Sequence, residues 1–528
     1  MRRLAQICAA LGWLLCASSG LAQFQAPLIL RGEVSGDQFG IAVASAGDFN
    51  GDGYGDLAVG ANANQDNGAG AGKVYVFLGG PSPDTLADWI VHGAAGELLG
   101  AALVGAGDVN SDGYDDLLVG GPSNDQNGTA SGRALLFLGG AIPDTVVDWF
   151  GLGEAAIDNY GSELTGGRDI NGDDTADFII GAYRFDPPAQ SNTGKAYLYA
   201  GGALPGATLL AAPIGSQDGE RFGFALSTAA DFTGDGISDY LVGAYSYDSG
   251  AAGTNAGRVL LMPGGVLPSV SPPGELEGLT AGELFGWSLA DAGDVDGDGP
   301  ADFLVGAPGY RSGPTLDAGQ VRLYFGGSAL DSVPDWTVTG SSGQSDRLGF
   351  SLAGAVDLNK DGRSDFTIGA PGASDGGTSG KVLVYTGGNP PALDATLTVA
   401  GSGTQFGYSV TLIPNFFGSE SALAVGAWAE DSNQGTVRIY RYAVVVAPCS
   451  ITLTGDVDLS GTITAADIIY LVNFTFKGGP PPNPCAAAGD VNCSGGLSSA
   501  DIIYLVNFVF KGGAPPCNGC ASPLASDC

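Results

Sequence analysis

Six nine-residue segments carry acids and amides at every second position: DFNGDGYGD from Asp48, DVNSDGYDD from Asp108, DINGDDTAD from Asp169, DFTGDGISD from Asp231, DVDGDGPAD from Asp294 and DLNKDGRSD from Asp357. Side-chain oxygens stand at positions 1, 3, 5 and 9, and position 7 offers its backbone carbonyl. The six candidate ligand sets are Asp48, Asn50, Asp52, Tyr54 and Asp56; Asp108, Asn110, Asp112, Tyr114 and Asp116; Asp169, Asn171, Asp173, Thr175 and Asp177; Asp231, Thr233, Asp235, Ile237 and Asp239; Asp294, Asp296, Asp298, Pro300 and Asp302; and Asp357, Asn359, Asp361, Arg363 and Asp365. Carboxylate, amide and carbonyl oxygens on one short curl are the donors a hard cation takes, and Ca2+ is the expected ion. The curl needs a residue free to turn sharply at position 6. Gly fills it in five loops, whereas the third has Asp174, and the fourth has Thr233 at position 3, so those two sites should be weaker. Solvated Asx turns are the plainer reading, but turns do not require four oxygens at fixed spacing six times over.

The elements that position these loops repeat with them. Loop starts are 60 to 63 residues apart, and each loop runs into an apolar segment ending in Gly (LAVG, LLVG, FIIG, YLVG, FLVG, FTIG). A period of this length marks an array of one supersecondary unit. Each unit also has an aromatic or Leu followed by Gly ahead of the loop, at Phe39, Leu99, Tyr160, Phe222, Phe285, Leu348 and Phe406, and a closing strand such as GKVYVFLGG (72–80). Three units carry a Trp-containing outer segment, DWIVHG, DWFGLG or DWTVTG. Four short strands per period, repeated around a ring, predict an all-β, seven-bladed β-propeller. The seventh unit, TLIPNFFGSESALAVG, has Pro414, Phe416, Gly418 and Ala422 where acids would stand, so its blade should hold no metal. No outer strand follows its last strand, GTVRIYRY (435–442), yet an orphan one, APLILRG (26–32), precedes the first unit. That strand is expected to complete the last blade and remove the open edge.

The first 22 residues, two arginines, an apolar run and Gly20-Leu21-Ala22, read as a secretory signal peptide. A lipidated Cys16 is disfavoured by the bulky Leu15. The remaining chain has 18 basic and 56 acidic residues, a net of −38, which argues against nucleic acid or an anionic membrane surface as partner. Nineteen of the acids stand at odd-numbered positions of the six loops and five more in two C-terminal loops; eight Ca2+ would bring the net to about −22. Cys449, Cys485, Cys493, Cys517, Cys520 and Cys528 all follow residue 448. An even set in an oxidising compartment reads as disulfides. Cys517 and Cys520 also have metal-like spacing, without a partner His.

In the tail, GDVDLSGTITAADIIYLVNFTFKGGPPP (455–482) recurs 34 residues on as GDVNCSGGLSSADIIYLVNFVFKGGAPP. Each copy opens with a twelve-residue loop: Asp456, Asp458, Ser460, Thr462 (carbonyl) and Asp467, then Asp490, Asn492, Ser494, Gly496 (carbonyl) and Asp501. Gly461 and Gly495 hold the sixth position, as in EF-hand loops, and a helix follows each loop, so each copy is half an EF-hand.

The Phe-Gly start, the DxNGDGxxD loop and the LxVGAP-type ending (Leu304 to Pro308) resemble FG-GAP repeats of the integrin α-chain propeller, over residues ~26–442. That resemblance implies calcium loops that rigidify the blades on the face opposite the ligand-binding loops. The paired half EF-hands resemble a dockerin domain, which implies a small α-helical calcium-binding module that docks a cohesin-type partner. Ala465-Ala466 and Ser499-Ala500 depart from the hydroxyl pairs of that family, which puts cohesin binding in doubt. The expected organisation is signal peptide 1–22, propeller 23–443, linker 444–454, dockerin-like domain 455–516 and Cys-containing tail 517–528. No catalytic set emerges: His92 is the only histidine, and nearly every close carboxylate pair belongs to a calcium loop. The expected function is a secreted calcium-binding adhesion or recognition protein, binding an extracellular protein or glycan through the loops 61–71, 121–131, 183–193, 245–256 and 309–318. A component of an extracellular polysaccharide-degrading complex is the alternative. Trp89, Trp149, Trp287, Trp336 and Trp428 read as packed blade residues, with stacking on carbohydrate the other possibility.

Overall fold

The computed structural model describes residues 23–203, 205–206, 208–229, 231–266, 268, 274–312, 317–327, 332–341, 345–374, 378–443, 468–473 and 499–511. Residues 24–443 form one compact unit; 444–528 and 1–23 are grouped in another. No helix among the described residues is long and apolar enough to cross a membrane.

The first unit is a seven-bladed β-propeller. Six blades are four-stranded antiparallel sheets whose strands pair in chain order. In blade one these are Ala42–Gly47, Asp56–Ala61, Lys73–Phe77 and Trp89–His92. The second strands (DLAVGA, DLLVGG, DFIIGA, DYLVGA, DFLVGA, DFTIGA) are buried along their whole length, as expected for strands covered on both faces by neighbouring blades. The outer strands face solvent on one side, and Trp336–Thr339 alternates half-buried and exposed residues.

Closure occurs as the sequence predicts. Leu28–Arg31 pairs antiparallel with the last strand, Leu28 opposite Ile439 and Arg31 opposite Thr436, and Leu30 is 1% exposed in the core shared with Phe39, Val59 and Val437. Blade seven departs from the others where its loop is missing. Ser409–Phe417 and Glu420–Ala427 form a hairpin turned at Gly418, with a bulge between Ile413 and Phe417, so Pro414 and Phe416 belong to a bulged strand rather than to a decayed loop.

The two recurring glycines of each unit meet at the blade seams. A Cβ on Gly60 would lie 2.0 Å from the carbonyl oxygen of Gly100 in the next blade; Gly120 with Gly161, Gly243 with Gly286 and Gly306 with Gly349 repeat the contact, and Gly426 with Gly40 closes it around the ring. These glycines permit close backbone approach. Buried ion pairs lie near the same seams. Glu97, Glu220 and Glu283, two residues before the aromatic-Gly or Leu-Gly mark, pair with Arg133, Arg258 and Arg322. In blade one, where Asp37 takes that position, Lys73 pairs with Glu33 at 2.7 Å, whereas Asp346 at the same position of blade six pairs with Lys381 at 2.6 Å.

Trp89 packs edge-on against Phe137, and Trp149 and Trp336 against the aromatic strands of their neighbours. Trp287 is a correction to the sequence reading, since it lines the mouth of the central channel; Trp428 packs behind Tyr408.

In the tail, 468–473 and Ser499–Lys511 are helical. Leu471 and Leu505, equivalent positions of the two copies, are buried together, with Ile468, Tyr470, Ile502 and Tyr504 packed around them. The expected ligands Asp456, Asp458, Ser460, Thr462, Asp467, Asp490, Asn492, Ser494 and Gly496 lie outside the described residues, as do the expected signal peptide and linker and the six cysteines after residue 448. Asp501 falls within the second helix, its side chain outside the description.

Candidate functional site

Each acidic loop links the inner strand of a blade to the second strand, so all six lie on the same rim of the ring. The 62–72-type and 93–101-type connections, at the other strand ends, form the opposite rim.

Position 1 organises the curl. Asp48 accepts the N–H groups of Asp52 (2.9 Å) and Gly53 (2.8 Å), and Asp108, Asp169, Asp231, Asp294 and Asp357 repeat this at their own positions 5 and 6. Position 3 supports position 5: the Asn50 amide donates to Asp52 (3.0 Å), and Asn110, Asn171 and Asn359 do likewise. The turn at position 6 is left-handed throughout. Asp174 adopts φ 67° where the other loops have Gly, a conformation that Asp tolerates better than most side chains.

Position 9 is the anchor. Asp56, Asp116, Asp177, Asp239, Asp302 and Asp365 are all 0% exposed. Each accepts one N–H from position 2 of its own loop and another from a Gly in the turn after the third strand; for Asp56 these are Phe49 (2.9 Å) and Gly79 (2.8 Å). None has a cationic side chain within ion-pairing distance among the described residues. Burial, with the neighbouring acids, pushes Asp56, Asp116, Asp302 and Asp365 up to about 7, and Asp177 and Asp239 up to about 6. A buried carboxylate facing other carboxylates lacks positive charge, so the donor set fits a hard cation. The fifth loop has an acid at position 3, and there Asp294, Asp296 and Asp302 bring carboxylate oxygens within 4.8 Å of one another. Tyr54, Tyr114, Thr175, Ile237, Pro300 and Arg363 would contribute carbonyls. Adjacent loops also interlock: the Asp115 N–H reaches the Asp48 carbonyl, and the Ser364 N–H the Asp294 carbonyl (2.8 Å).

The other rim surrounds a site that the loop motif did not reveal. The residue after each aromatic-Gly or Leu-Gly mark leads into an inner strand at the mouth of the central channel, and in every blade but the third it lines a cavity of about 280 Å³. In blades one to three it is Ile41, Ala101 or Ser162; in blades four to seven it is Phe224, Trp287, Phe350 or Tyr408. The four rings follow one another at 4.8, 5.4 and 4.8 Å between centroids, backed by Tyr183, Tyr245 and Trp428. Aligning the seven units on the Gly would have exposed this arc. Deeper in the channel, Arg168 of blade three pairs with Asp291 of blade five at 2.7 Å. His92 is exposed on an outer strand, 3.9 Å from Asp66.

A model of the FG-GAP repeat matches residues 39–77, 100–137, 160–199, 285–324 and 348–385. The chain is 28% identical over 256 residues to integrin alpha-5 of Xenopus laevis, covering 45% of this chain and 22% of that one. It is 36% identical over 177 residues to integrin alpha-IIb of Homo sapiens, covering 32% and 16%. Phosphatidylinositol-glycan-specific phospholipase D of Bos taurus is 30% identical over 269 residues, covering 45% and 31%. The chain thus spans less than a third of the length of each of these relatives. The five matched repeats lie on the ring of seven blades, and their similarity to integrin α chains supports an FG-GAP β-propeller for the first unit.

Proposed function

We propose that the protein is a secreted recognition or adhesion protein, in which the acidic loops hold Ca2+ and the opposite rim binds an extracellular ligand. The observation that carries this reading is the set of six wholly buried position-9 carboxylates, each hydrogen-bonded to backbone N–H groups and none paired with a cationic side chain among the described residues. Bound Ca2+ would supply the missing positive charge. The protein's own residues do the rest. Position 1 fixes the curl, position 9 ties the loop to the turn after the third strand, and the carbonyl of position 1 accepts an N–H from the next blade. The ions therefore reinforce the ring, while the channel-mouth rim is free to recognise a ligand. The similarity to integrin α chains supports an extracellular ligand of this kind. In the tail, the paired half EF-hands would bind two further Ca2+ and dock the chain to a cohesin-type or cell-surface partner.

Calorimetric titration with Ca2+ should give up to eight sites, and EDTA should lower the melting temperature. No heat and no stability change would refute the calcium reading. We also propose that the protein has no catalytic activity of its own; turnover of glycans or phosphodiesters that persisted through purification would overturn that. Pull-downs with the full chain and with a chain ending at residue 443 separate rim-borne binding from tail-borne binding.

A further inference from the structure

The channel-mouth rim has a charge pattern at odds with the rest of the molecule. Across the propeller ten lysines and arginines are held in ion pairs with carboxylates. Among the described residues, the arginines outside the acidic loops without such a carboxylate are Arg184, Arg221, Arg311 and Arg347, all on the channel-mouth rim of blades three to six. Three of them border the aromatic arc. Arg184 lies over the Tyr183 ring at 5.4 Å. Arg221 lies over the Tyr245 ring at 5.2 Å and donates to its hydroxyl. Arg347 lines a second cavity of about 190 Å³ with Trp287 and Phe350.

We propose that this mouth binds an acidic carbohydrate, its sugar ring stacked on the Phe224–Trp287–Phe350–Tyr408 arc and its carboxylate or sulfate held by the bordering arginines. The inference rests on the reading of this rim as the recognition face, and names its ligand class. A chain with 56 acids and 20 bases repels anions at long range, so three guanidinium groups without carboxylate partners beside one aromatic-lined mouth provide local selection for an anion. They would also repel a cationic ligand. Two carboxyl groups stand nearby, Asp317 in the second cavity and Glu163 in the channel wall. Burial raises Glu163 to about 8, which favours its neutral, hydrogen-bonding form. A sugar suits the site better than an acidic peptide because the backbone at the mouth is already used. The N–H groups of Gly223, Gly286, Gly349 and Gly407 all bond carbonyls within the propeller. Aromatic faces and side-chain donors remain.

The test is tryptophan fluorescence and calorimetry on the full chain in excess Ca2+, with four probes of equal length: an oligouronate, a sulfated oligosaccharide, a neutral oligosaccharide and hexaglutamate. Binding of either acidic sugar, lost with salt and weakened about tenfold by Arg221→Met or Arg347→Met at unchanged melting temperature, supports the proposal. Trp287→Leu should remove the fluorescence change. Equal binding of the neutral sugar or of hexaglutamate overturns it. So does acidic-sugar binding untouched by the arginine variants, which would indicate calcium-bridged contact at the other rim. If no probe binds but the propeller captures another extracellular ligand, the ligand class is wrong and the recognition reading stands.

Discussion

Leu30→Ala, set against Ile29→Ala, tests whether the N-terminal strand holds the ring closed. Both residues belong to the strand that pairs with Thr436–Ile439. Leu30 is 1% exposed and packs among Phe39, Val59 and Val437, whereas Ile29 is 37% exposed. Truncating a fully buried Leu costs about 2–5 kcal/mol, the lost transfer energy plus the cavity. Residues 24–443 form one compact unit of 420 residues. At about 2.1 cal/mol/K per residue its unfolding entropy is roughly 0.9 kcal/mol/K. Leu30→Ala should therefore lower the melting temperature by about 2–6 °C, and Ile29→Ala by less than about 1 °C. Deleting residues 23–32 also removes the ladder bonds and the edge-to-face contacts of Phe24 with Tyr440 and Tyr442. The combined loss of roughly 7–10 kcal/mol corresponds to about 8–11 °C. Differential scanning calorimetry in saturating Ca2+ reads all three. Equal shifts for Leu30→Ala and Ile29→Ala, or an unchanged midpoint on deletion, would refute the closure argument.

Gly60→Ala should destabilise by about 1–3 kcal/mol or more in denaturant titration, because its Cβ would meet the Gly100 carbonyl at 2.0 Å; Gly53→Ala, with open space but φ 89°, should cost about 1 kcal/mol. Glu283→Gln, which strands buried Arg322, should cost about 3–5 kcal/mol, and Glu283→Gln with Arg322→Met should recover part of it in chemical denaturation. Glu163 is raised from 4.5 to about 8 on folding. The folded state therefore keeps a proton that the unfolded chain releases, and stability falls as pH climbs from 4.5 to 8, by at most about 1.4 kcal/mol per unit. Glu163→Gln should reduce that slope in melts across this range, leaving the share that the raised position-9 aspartates contribute. Asp302→Asn should reduce the calorimetric Ca2+ stoichiometry by one.

The loops were legible because their chemistry is local. Asp48 to Asp56 span nine consecutive residues, and the hydrogen bonds that curl them lie within those nine. Blade seven was half legible. Its missing acids predicted an absent site, but the substitution of a hairpin through Gly418 for the loop depended on strand pairing. The tryptophans were misread as one class because their spacing along the chain does not tell an outer strand from the start of an inner one.

By itself the sequence determined the repeat, the number of blades, the acidic loops and the N-terminal strand that closes the ring, since each is written in residues of one ~60-residue period or in its missing part. Only the tertiary structure decided what the periods make together. Phe224, Trp287, Phe350 and Tyr408 become one aromatic arc, Arg168 reaches Asp291 across 123 residues, and Gly426 meets Gly40. A closed ring brings one residue from each repeat to a common axis, and that contact leaves no mark on the spacing within any single repeat.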